Sequence, residues 1–210
     1  RPFARMSYQD AISKYGSDKP DLRYGFEIHD ISGIFEKMDF DLFNDAVKNG
    51  DKINAINFNE LASQYSRKKL DKLVSYAKGC GANTVLWGKI ENGEWNTSFN
   101  KFLTDESKAF LEAELSLKNN DLFVLMVGEK NRTLEQMGQL RIEVAKNHVE
   151  FKDDDYAITW VVDFPMFEYS EEEERYVAKH HPFTHPLDED IEFLETAPEK
   201  VRAKAYDIVI

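Results

Sequence analysis

Acidic, histidine and aromatic residues are grouped in short motifs at the two ends of this chain, and their separation strongly constrains its fold. Residues 15–23 read YGSDKPDLR, whereas residues 160–167 read WVVDFPMF and residues 180–184 read HHPFT. The two ends can line one pocket only if the roughly 140 residues between them fold aside as a unit. The pattern therefore predicts a site with a domain inserted into it.

The composition limits the classes of protein to which the chain can belong. A formal net charge of −12 repels phosphate backbones, so the chain is a poor candidate for a general nucleic-acid binder, although a local contact stays open. The single cysteine, Cys80, excludes an internal disulfide and fits a reducing cytoplasm. No apolar run approaches the roughly 20 residues of a membrane span, so no membrane partner is expected.

The middle of the chain alternates helical and extended patterns that are typical of an α+β domain. Ser66 and Thr104 are each predicted to cap a helix, and Asn92-Gly93 predicts a tight turn after a strand. Apolar periodicity predicts the remaining segments, namely strands at about 53–58, 84–90 and 122–127 and a last helix at about 132–147. Residues 30–149 are therefore predicted to form a self-contained α+β unit with its own core.

The loop after the first predicted helix carries the first candidate site residues. The helix covers about residues 8–15, and Gly16 occupies the position that ends it. An aspartate in such a loop usually satisfies its own backbone. The functional alternative is that Asp18, held in a rigid loop, pairs with a substrate ammonium group. Ser17 and Lys19 are candidate supporting residues of the same pocket.

Strand-like segments are predicted at residues 159–168 and 176–178, on either side of an acidic hairpin tip. In a continuous strand Trp160 and Phe164 share one face, and both are expected in the core. A carboxylate inside an apolar strand is costly to bury unless it is paired. Asp163 is therefore a further candidate for the support of a pocket.

Two interpretations of the histidines stay open. Adjacent residues on a strand point to opposite faces, so at most one of His180 and His181 is expected to face a pocket. The second interpretation is a zinc site, because His180, His181 and His185 with Asp163 supply nitrogen and oxygen ligands. The neighbouring prolines do not align these ligands as a helix would, so no metal site is predicted.

Taken together, the motifs identify a family. The stretches YGSDKPDLR, WVVDFPMF and HHPFT are followed by a predicted helix that opens at a capping box from Thr196, and then by AYDIVI. In this order and separation the whole chain resembles the bacterial-type aspartyl-tRNA synthetases. The segment between the motifs resembles the domain that these synthetases share with certain tRNA-dependent amidotransferases.

The resemblance implies a class II catalytic domain, built on an antiparallel sheet with flanking helices, that joins L-aspartate to ATP with Mg²⁺ and transfers it to tRNA. It implies that Asp18 contacts the substrate ammonium group, that His180 contacts the aspartate and that His181 lies near it. No residue of this chain is expected to act as a catalytic base, because this chemistry depends on positioning and charge neutralisation. The resemblance also implies a cytoplasmic homodimer.

The resulting fold prediction is α+β, with an inserted domain flanked by two pieces of the catalytic domain. The predicted divisions are residues 1–29, 30–149 and 150–210. The arginine and glycine-rich motifs with which such enzymes bind ATP are not among these residues, so we expect a fragment that is inactive in isolation. Two alternatives stay open: a non-catalytic insertion module that binds tRNA or protein, and a zinc-dependent hydrolase.

Overall fold

A computed structural model of the chain describes residues 3–35, 41–152, 154–179, 181 and 183–210. His180, a candidate for binding the substrate, lies outside these residues. None of the described helices is long and apolar enough to cross a membrane.

Helices and strands follow one another along the chain in the α+β manner that the sequence predicts. The described helices are α1 (Tyr8–Tyr15), α2 (Ser32–Phe35), α3 (Asp41–Lys48), α4 (Arg67–Gly79), α5 (Asp105–Leu115) and α6 (Lys130–His148). The described strands are β1 (Ala4–Ser7), β2 (Ile28–Asp30), β3 (Lys52–Phe58), β4 (Thr84–Glu91), β5 (Glu94–Thr97), β6 (Leu122–Gly128), β7 (Thr159–Val162), β8 (Phe167–Ser170), β9 (Arg175–Ala178) and β10 (Asp207–Val209).

The chain divides into two compact units, each built from separate stretches of sequence. The first contains residues 1–12, 18–23 and 153–210, and the second contains residues 13–17 and 24–152. The divisions predicted from sequence, at 29/30 and 149/150, stay a prediction.

The second unit contains a five-stranded antiparallel sheet with the order β2-β3-β6-β4-β5. Its central strand β6 is almost wholly apolar because helices cover both faces of the sheet. Phe123 and Leu125 point to one face, where they join a cluster with Phe43 and with Leu111 of α5. On alternate positions β6 presents side chains to the other face, where α6 packs on β3 and β6 and α4 packs on β4.

Local signals in this unit are largely confirmed, with one exception. Asn92 and Gly93 both have positive φ, at 54° and 78°, and they join β4 to β5 as a two-residue hairpin. The Thr104 hydroxyl accepts a hydrogen bond from the Ser107 amide and caps α5. Ser66 occupies the predicted N-cap position of α4, but its side chain makes no capping hydrogen bond there. Its carbonyl still accepts the helical bond from Leu70.

Two glycines fix the contact between α6 and the turn that ends α1. Gly16 has a φ of +68°, and a Cβ there would overlap the carbonyl oxygen of Leu134. Gly138 faces the same turn, since an added Cβ would lie 2.8 Å from the carbonyl oxygen of Gly16 and 2.9 Å from that of Tyr15. The two backbones can approach this closely only because neither residue carries a side chain.

The first unit is built on a three-stranded sheet in which β7 lies between β1, to which it is parallel, and β10, to which it is antiparallel. Ala11 of α1 packs with Val161, Phe164 and Val209 in its core. Strands β8 and β9 form a separate antiparallel hairpin whose tip is the acidic run at residues 171–174, as the sequence predicts.

The prediction that Phe164 shares a face with Trp160 is wrong. The strand predicted over residues 159–168 ends at Val162. Asp163 adopts a left-handed backbone with a φ of 58°, which breaks the alternation of faces. Phe164 is consequently buried, 1% exposed, on the side of Val161, whereas Trp160 on β7 is only half-buried. The Phe164 ring lies 5.1 Å from the ring of Tyr8.

The final helix predicted from the capping box at Thr196 is also wrong. The chain forms only a short 3-10 helix, Pro198–Lys200, and then becomes extended at Val201. The backbone there is needed for other pairings, since the Val201 carbonyl accepts from the Met166 amide at 2.8 Å and Arg202 bridges to Pro165.

Arg202 ties this extended segment to the preceding 3-10 helix, Asp188–Phe193. Its guanidinium donates to both carboxylate oxygens of Asp190, at 2.8 and 2.9 Å, and to Glu189 at 3.1 Å. The Arg202 amide also donates to Asp190, at 2.9 Å. The hydrogen bonds from Arg202 lower the pKa of Asp190, whose side chain is 6% exposed.

We predict that Gly138→Ala lowers the free energy of unfolding by about 1–3 kcal/mol, even though alanine favours a helix. The new methyl group would press on backbone atoms of residues 15 and 16, which cannot rotate away. Gly79→Ala is the matched control, because a Cβ at Gly79 meets nothing within 4 Å. Urea unfolding of both variants measures the effect, and equal stability of the two would contradict the close contact.

We also predict that Asp190→Asn destabilises the chain at neutral pH and makes its stability less dependent on acid. A carboxyl group whose pKa is lowered in the folded state stabilises that state at pH values above its ordinary pKa of 3.8. This stabilisation is lost as the pH falls through the lower pKa of the folded state. The gap between wild type and variant should therefore close below about pH 3.8. Thermal unfolding against pH tests this, with the exposed Asp155→Asn as control.

Candidate functional site

The loop at residues 18–23 presents a lysine held between two carboxylates. The Lys19 ammonium group lies 2.8 Å from Oδ2 of Asp18 and 3.4 Å from Oδ2 of Asp207, at the start of β10. The hydrogen bond that Lys19 donates to Asp18 raises the pKa of Lys19, and the charge of Asp207 adds to this effect. Lys19 is therefore a fixed positive charge between two negative ones.

One oxygen of Asp18 is available to a ligand. Lys19 bonds to Oδ2, whereas Oδ1 accepts no hydrogen bond within the part of the chain that the structure describes. The Asp18 side chain is 36% exposed, so solvent or a cationic group can reach it. A carboxylate with one oxygen held by an ammonium group and the other open can orient a second ammonium group.

Residues just before and after this loop are held within the second unit by Arg141, whose side chain is buried. Its guanidinium lies 4.7 Å from the ring of Tyr15 and 4.2 Å from that of Tyr24. It also donates hydrogen bonds of 3.1–3.2 Å to the carbonyls of Tyr24 and Gly25. Tyr15 donates in turn to Glu27 at 3.1 Å, and burial together with that carboxylate raises the pKa of Tyr15 to about 12.

Asp163 lies in the first unit near the charged group formed by Arg202. The pKa of Arg202 is raised chiefly by its hydrogen bonds to Asp190, and the charge of Asp163 adds to the shift. Asp163 forms no ion pair within the described residues, and it acts on Arg202 through its charge. Sequence reasoning did not identify this cation. The left-handed backbone of Asp163 is a further feature that the strand pattern concealed.

Lys179, the residue before the two candidate histidines, is held in place by several contacts. Lys179 donates from its ammonium group to the Tyr8 hydroxyl at 2.8 Å, lies 4.8 Å from the Tyr8 ring, and approaches Glu168 at 3.9 Å. Its amide donates to the Met166 carbonyl at 3.0 Å. Lys179 directly precedes His180, so these contacts set where the histidine segment begins.

His181 is exposed and is oriented by its own loop. Its Nδ1 accepts a hydrogen bond from the Phe183 amide at 3.2 Å, and its ring lies 5.0 Å from the ring of Phe183. Its carbonyl accepts from the Thr184 amide at 2.9 Å. With Nδ1 as an acceptor, the neutral ring carries its proton on Nε2 and can donate from there.

The structure brings some of the predicted site residues together and leaves others apart. Asp18 and Lys19 are in direct contact, and Ser17 is half-buried immediately before them. Within the described residues no hydrogen bond or ion pair joins Asp18 to Asp163 or to His181. His180 lies outside the described residues, so its place in the site stays a prediction.

Sequence reasoning missed the partners that fix this site, namely Asp207, Lys179 and Arg202. Asp207 and Lys179 each pair with a residue far away in sequence, namely Lys19 and Tyr8. Arg202 pairs with Asp190, twelve residues before it. The one local signal for Asp207 was an acid directly before an apolar strand. Among the described residues no group of three His, Cys, Asp or Glu side chains is arranged to hold a metal ion.

Comparison with known proteins identifies the family. The family described as tRNA synthetases class II (D, K and N) matches residues 1–210. A protein of Caldanaerobacter subterraneus subsp. tengcongensis, named aspartate–tRNA(Asp/Asn) ligase, is 46% identical over 209 residues, which cover 100% of this chain and 35% of that protein.

Two further relatives are named aspartate–tRNA ligase. The protein of Clostridium kluyveri is 44% identical over 211 residues, and that of Geobacillus kaustophilus is 43% identical over 210 residues. Each match covers 100% of this chain, which spans 35% and 36% of the length of these relatives. The resemblance found in the sequence motifs is confirmed, and the chain belongs to the class II tRNA synthetases.

Proposed function

We propose that this chain is part of an aspartate–tRNA ligase and that it carries part of the site for L-aspartate. The whole protein would activate aspartate with ATP and Mg²⁺, releasing pyrophosphate, and would then pass the aspartyl group to tRNA. The observation that carries this proposal is the open carboxylate oxygen of Asp18, in a chain whose full length matches proteins named as aspartate–tRNA ligases. On the resemblance alone, the whole protein is proposed to be a cytoplasmic homodimer.

Asp18 binds the α-ammonium group of the substrate in this proposal. Its Oδ1 accepts a hydrogen bond from the ammonium group, while Lys19 holds Oδ2 and offsets part of the negative charge. Hydrogen bonds between ionised groups are about twice as strong as neutral ones, and they strengthen as water leaves the pocket. Lys19 thus positions Asp18 and does not itself need to touch the substrate.

The histidine segment supplies the second set of contacts. We assign His180 to the aspartate substrate and His181 to a place beside it, where the Nε2 proton of His181 can be donated. The contacts of Lys179 with Tyr8 and Met166 support this assignment because they fix the backbone that leads into His180. Ser17 and Asp163 are assigned supporting roles, Asp163 through its charge near Arg202.

The proposed reaction requires positioning rather than a protein base. The α-carboxylate of aspartate attacks the α-phosphorus of ATP, a new oxygen–phosphorus bond forms, and the bond to the leaving pyrophosphate breaks. No proton is transferred in this step, so the residues of this chain contribute by holding the amino acid in line. The ribose hydroxyl of the tRNA end then attacks the aspartyl carbonyl carbon and displaces AMP, whose phosphate takes up the proton that the hydroxyl loses.

In the whole enzyme, Asp18→Asn should raise the KM for aspartate by about ten- to a hundredfold in pyrophosphate exchange, because a hydrogen bond between charged groups is lost. The KM for ATP should change much less. Asp155→Asn, an exposed aspartate in the same unit, is the matched control. Equal KM values for aspartate in the two variants would remove Asp18 from the amino-acid site.

The isolated 210-residue chain should show no aspartate-dependent pyrophosphate exchange, since it spans only 35% of the relative's length and the ATP motifs expected from the resemblance are not among its residues. The whole enzyme, assayed at the same concentration, is the control. Turnover by the isolated chain would show that these residues suffice to bind ATP, and would overturn this part of the proposal.

A further inference from the structure

Helix α4 concentrates positive charge in a chain that is acidic as a whole. Its basic residues, all exposed, are Arg67, Lys68, Lys69, Lys72 and Lys78, whereas its one acid is Asp71. Asp71 pairs with Arg67 at 3.2 Å. Within the described residues, the lysines of α4 form no ion pair with a carboxylate. They therefore remain available to an anionic partner.

A groove of about 410 Å³ lies between α4 and α6 in the second unit. This volume falls within the range of ordinary ligand sites. Its lining combines aromatic, basic and amide side chains: Tyr65, Lys69, Lys72, Leu73, Tyr76, Glu143, Val144, Asn147 and His148. Leu73 and Val144 form only a small apolar part of this surface. The aromatic side chains can contact a planar group, and the basic and amide side chains can bind a polar one, so the groove suits a ligand that is both planar and polar.

An ordered, uncharged aromatic pair forms one wall of the groove. Nε2 of His148 lies 3.0 Å from the Tyr65 hydroxyl, and Nδ1 lies 3.0 Å from Oε1 of Gln64. Burial and the nearby charge of Lys69 lower the pKa of His148, while burial raises the pKa of Tyr65 to about 12. Both rings are thus neutral at pH 7, with His148 donating from Nδ1 and accepting at Nε2.

The rim of the groove joins positive charge to an exposed ring. Lys69, Lys72 and Tyr76 are spaced i, i+3 and i+7 on α4 and share one face of the helix. Tyr76 is 38% exposed, and the ammonium group of Lys69 lies 6.0 Å from the Tyr65 ring. The one carboxylate of the lining, Glu143, accepts from the side-chain amide of Asn147 at 3.1 Å.

We propose that this groove binds an unpaired nucleotide of an RNA strand. Lys69 and Lys72 contact the phosphates on either side, and the base stacks on Tyr76. Glu143 and Asn147 face the base edge, where the carboxylate of Glu143 and the amide oxygen of Asn147 accept from exocyclic amino groups. The amide nitrogen of Asn147 already donates to the carbonyl and the carboxylate of Glu143, at 2.7 and 3.1 Å. The choice of tRNA as the natural source of this strand rests on the proposed function.

The chemistry of the groove favours single-stranded RNA over its competitors. In an RNA duplex the faces of the bases are stacked away, whereas unpaired bases are commonly recognised by stacking on aromatic side chains. An acidic peptide would satisfy the lysines but would offer neither a planar ring for Tyr76 nor amino groups for Glu143. The remaining acidic surface repels phosphates, which confines the contact to this helix.

The charge of the site is tested by the salt dependence of RNA binding to the 210-residue chain. We expect Lys69→Ala/Lys72→Ala to weaken binding of a labelled single-stranded RNA about tenfold and to reduce the slope of log K against log salt by about 1.4. Lys101→Ala/Lys118→Ala removes two exposed lysines of the same unit outside the groove and is the matched control. Equal losses in the two double variants would overturn the proposal.

Stacking is tested by a second pair of variants. Tyr76→Phe keeps the ring and should bind RNA like the wild type, whereas Tyr76→Leu should lose about tenfold in affinity. Circular dichroism and thermal unfolding verify that both variants are folded. Equal affinities of the two variants, or tighter binding of a duplex of the same length, would overturn the assignment of an unpaired base to this groove.

Two further outcomes separate this inference from the proposed function. Binding of an aspartate- and glutamate-rich peptide, without binding of RNA, would replace the RNA by a protein partner. In the whole enzyme, Tyr76→Leu should leave aspartate-dependent pyrophosphate exchange unchanged and should raise the KM for tRNA. A loss of exchange in Asp18→Asn with no effect of Tyr76→Leu on tRNA would preserve the aspartate site and remove the RNA site.

Discussion

The buried guanidinium of Arg141 is the interaction that orders the segments of the second unit on either side of the candidate loop. It stacks on Tyr15 and Tyr24 and binds the carbonyls of Tyr24 and Gly25, so it holds residues on both sides of the loop from helix α6. A buried cation is stable only with such complete partnering, because desolvating a charge is costly. Gly16 reinforces the arrangement, since its left-handed turn lets the backbone meet α6 directly.

The sequence predicted most elements whose signal was local, although the structure lacks the side-chain cap at Ser66 and the helix expected after Thr196. The hairpin turn at Asn92, the cap at Thr104 and the glycine that ends α1 depend on neighbouring residues, and the structure confirms them. Predictions were wrong where a distant partner intervened. The helix expected after Thr196 gives way to an extended segment, because Arg202 pairs with Asp190 and the backbone around it pairs with the stretch after β7.

The candidate site was predictable in its residue types but not in its pairings. Asp18 and Lys19 are adjacent charged residues in a short loop, where an aspartate either satisfies its own backbone or stays open to a ligand. Asp207, which completes their charge arrangement, is nearly the full length of the chain away from them. No periodicity or cap relates positions so far apart in sequence. The pairing of Asp207 with Lys19 is therefore seen only in the structure, where β10 packs beside β7.

The net charge of −12 makes the chain a poor candidate for a general nucleic-acid binder, but this argument applies to the average surface and leaves a local contact open. In the first unit, several carboxylates pair with nearby cations, as Asp188 does with Lys204 and Asp190 with Arg202. Helix α4 departs from this pattern, since its lysines lack such partners among the described residues. A chain with a net negative charge repels an RNA strand on average, so a contact is favoured where basic side chains lack acidic partners. The overall negative charge would therefore restrict RNA binding to the region of α4 rather than prevent it there.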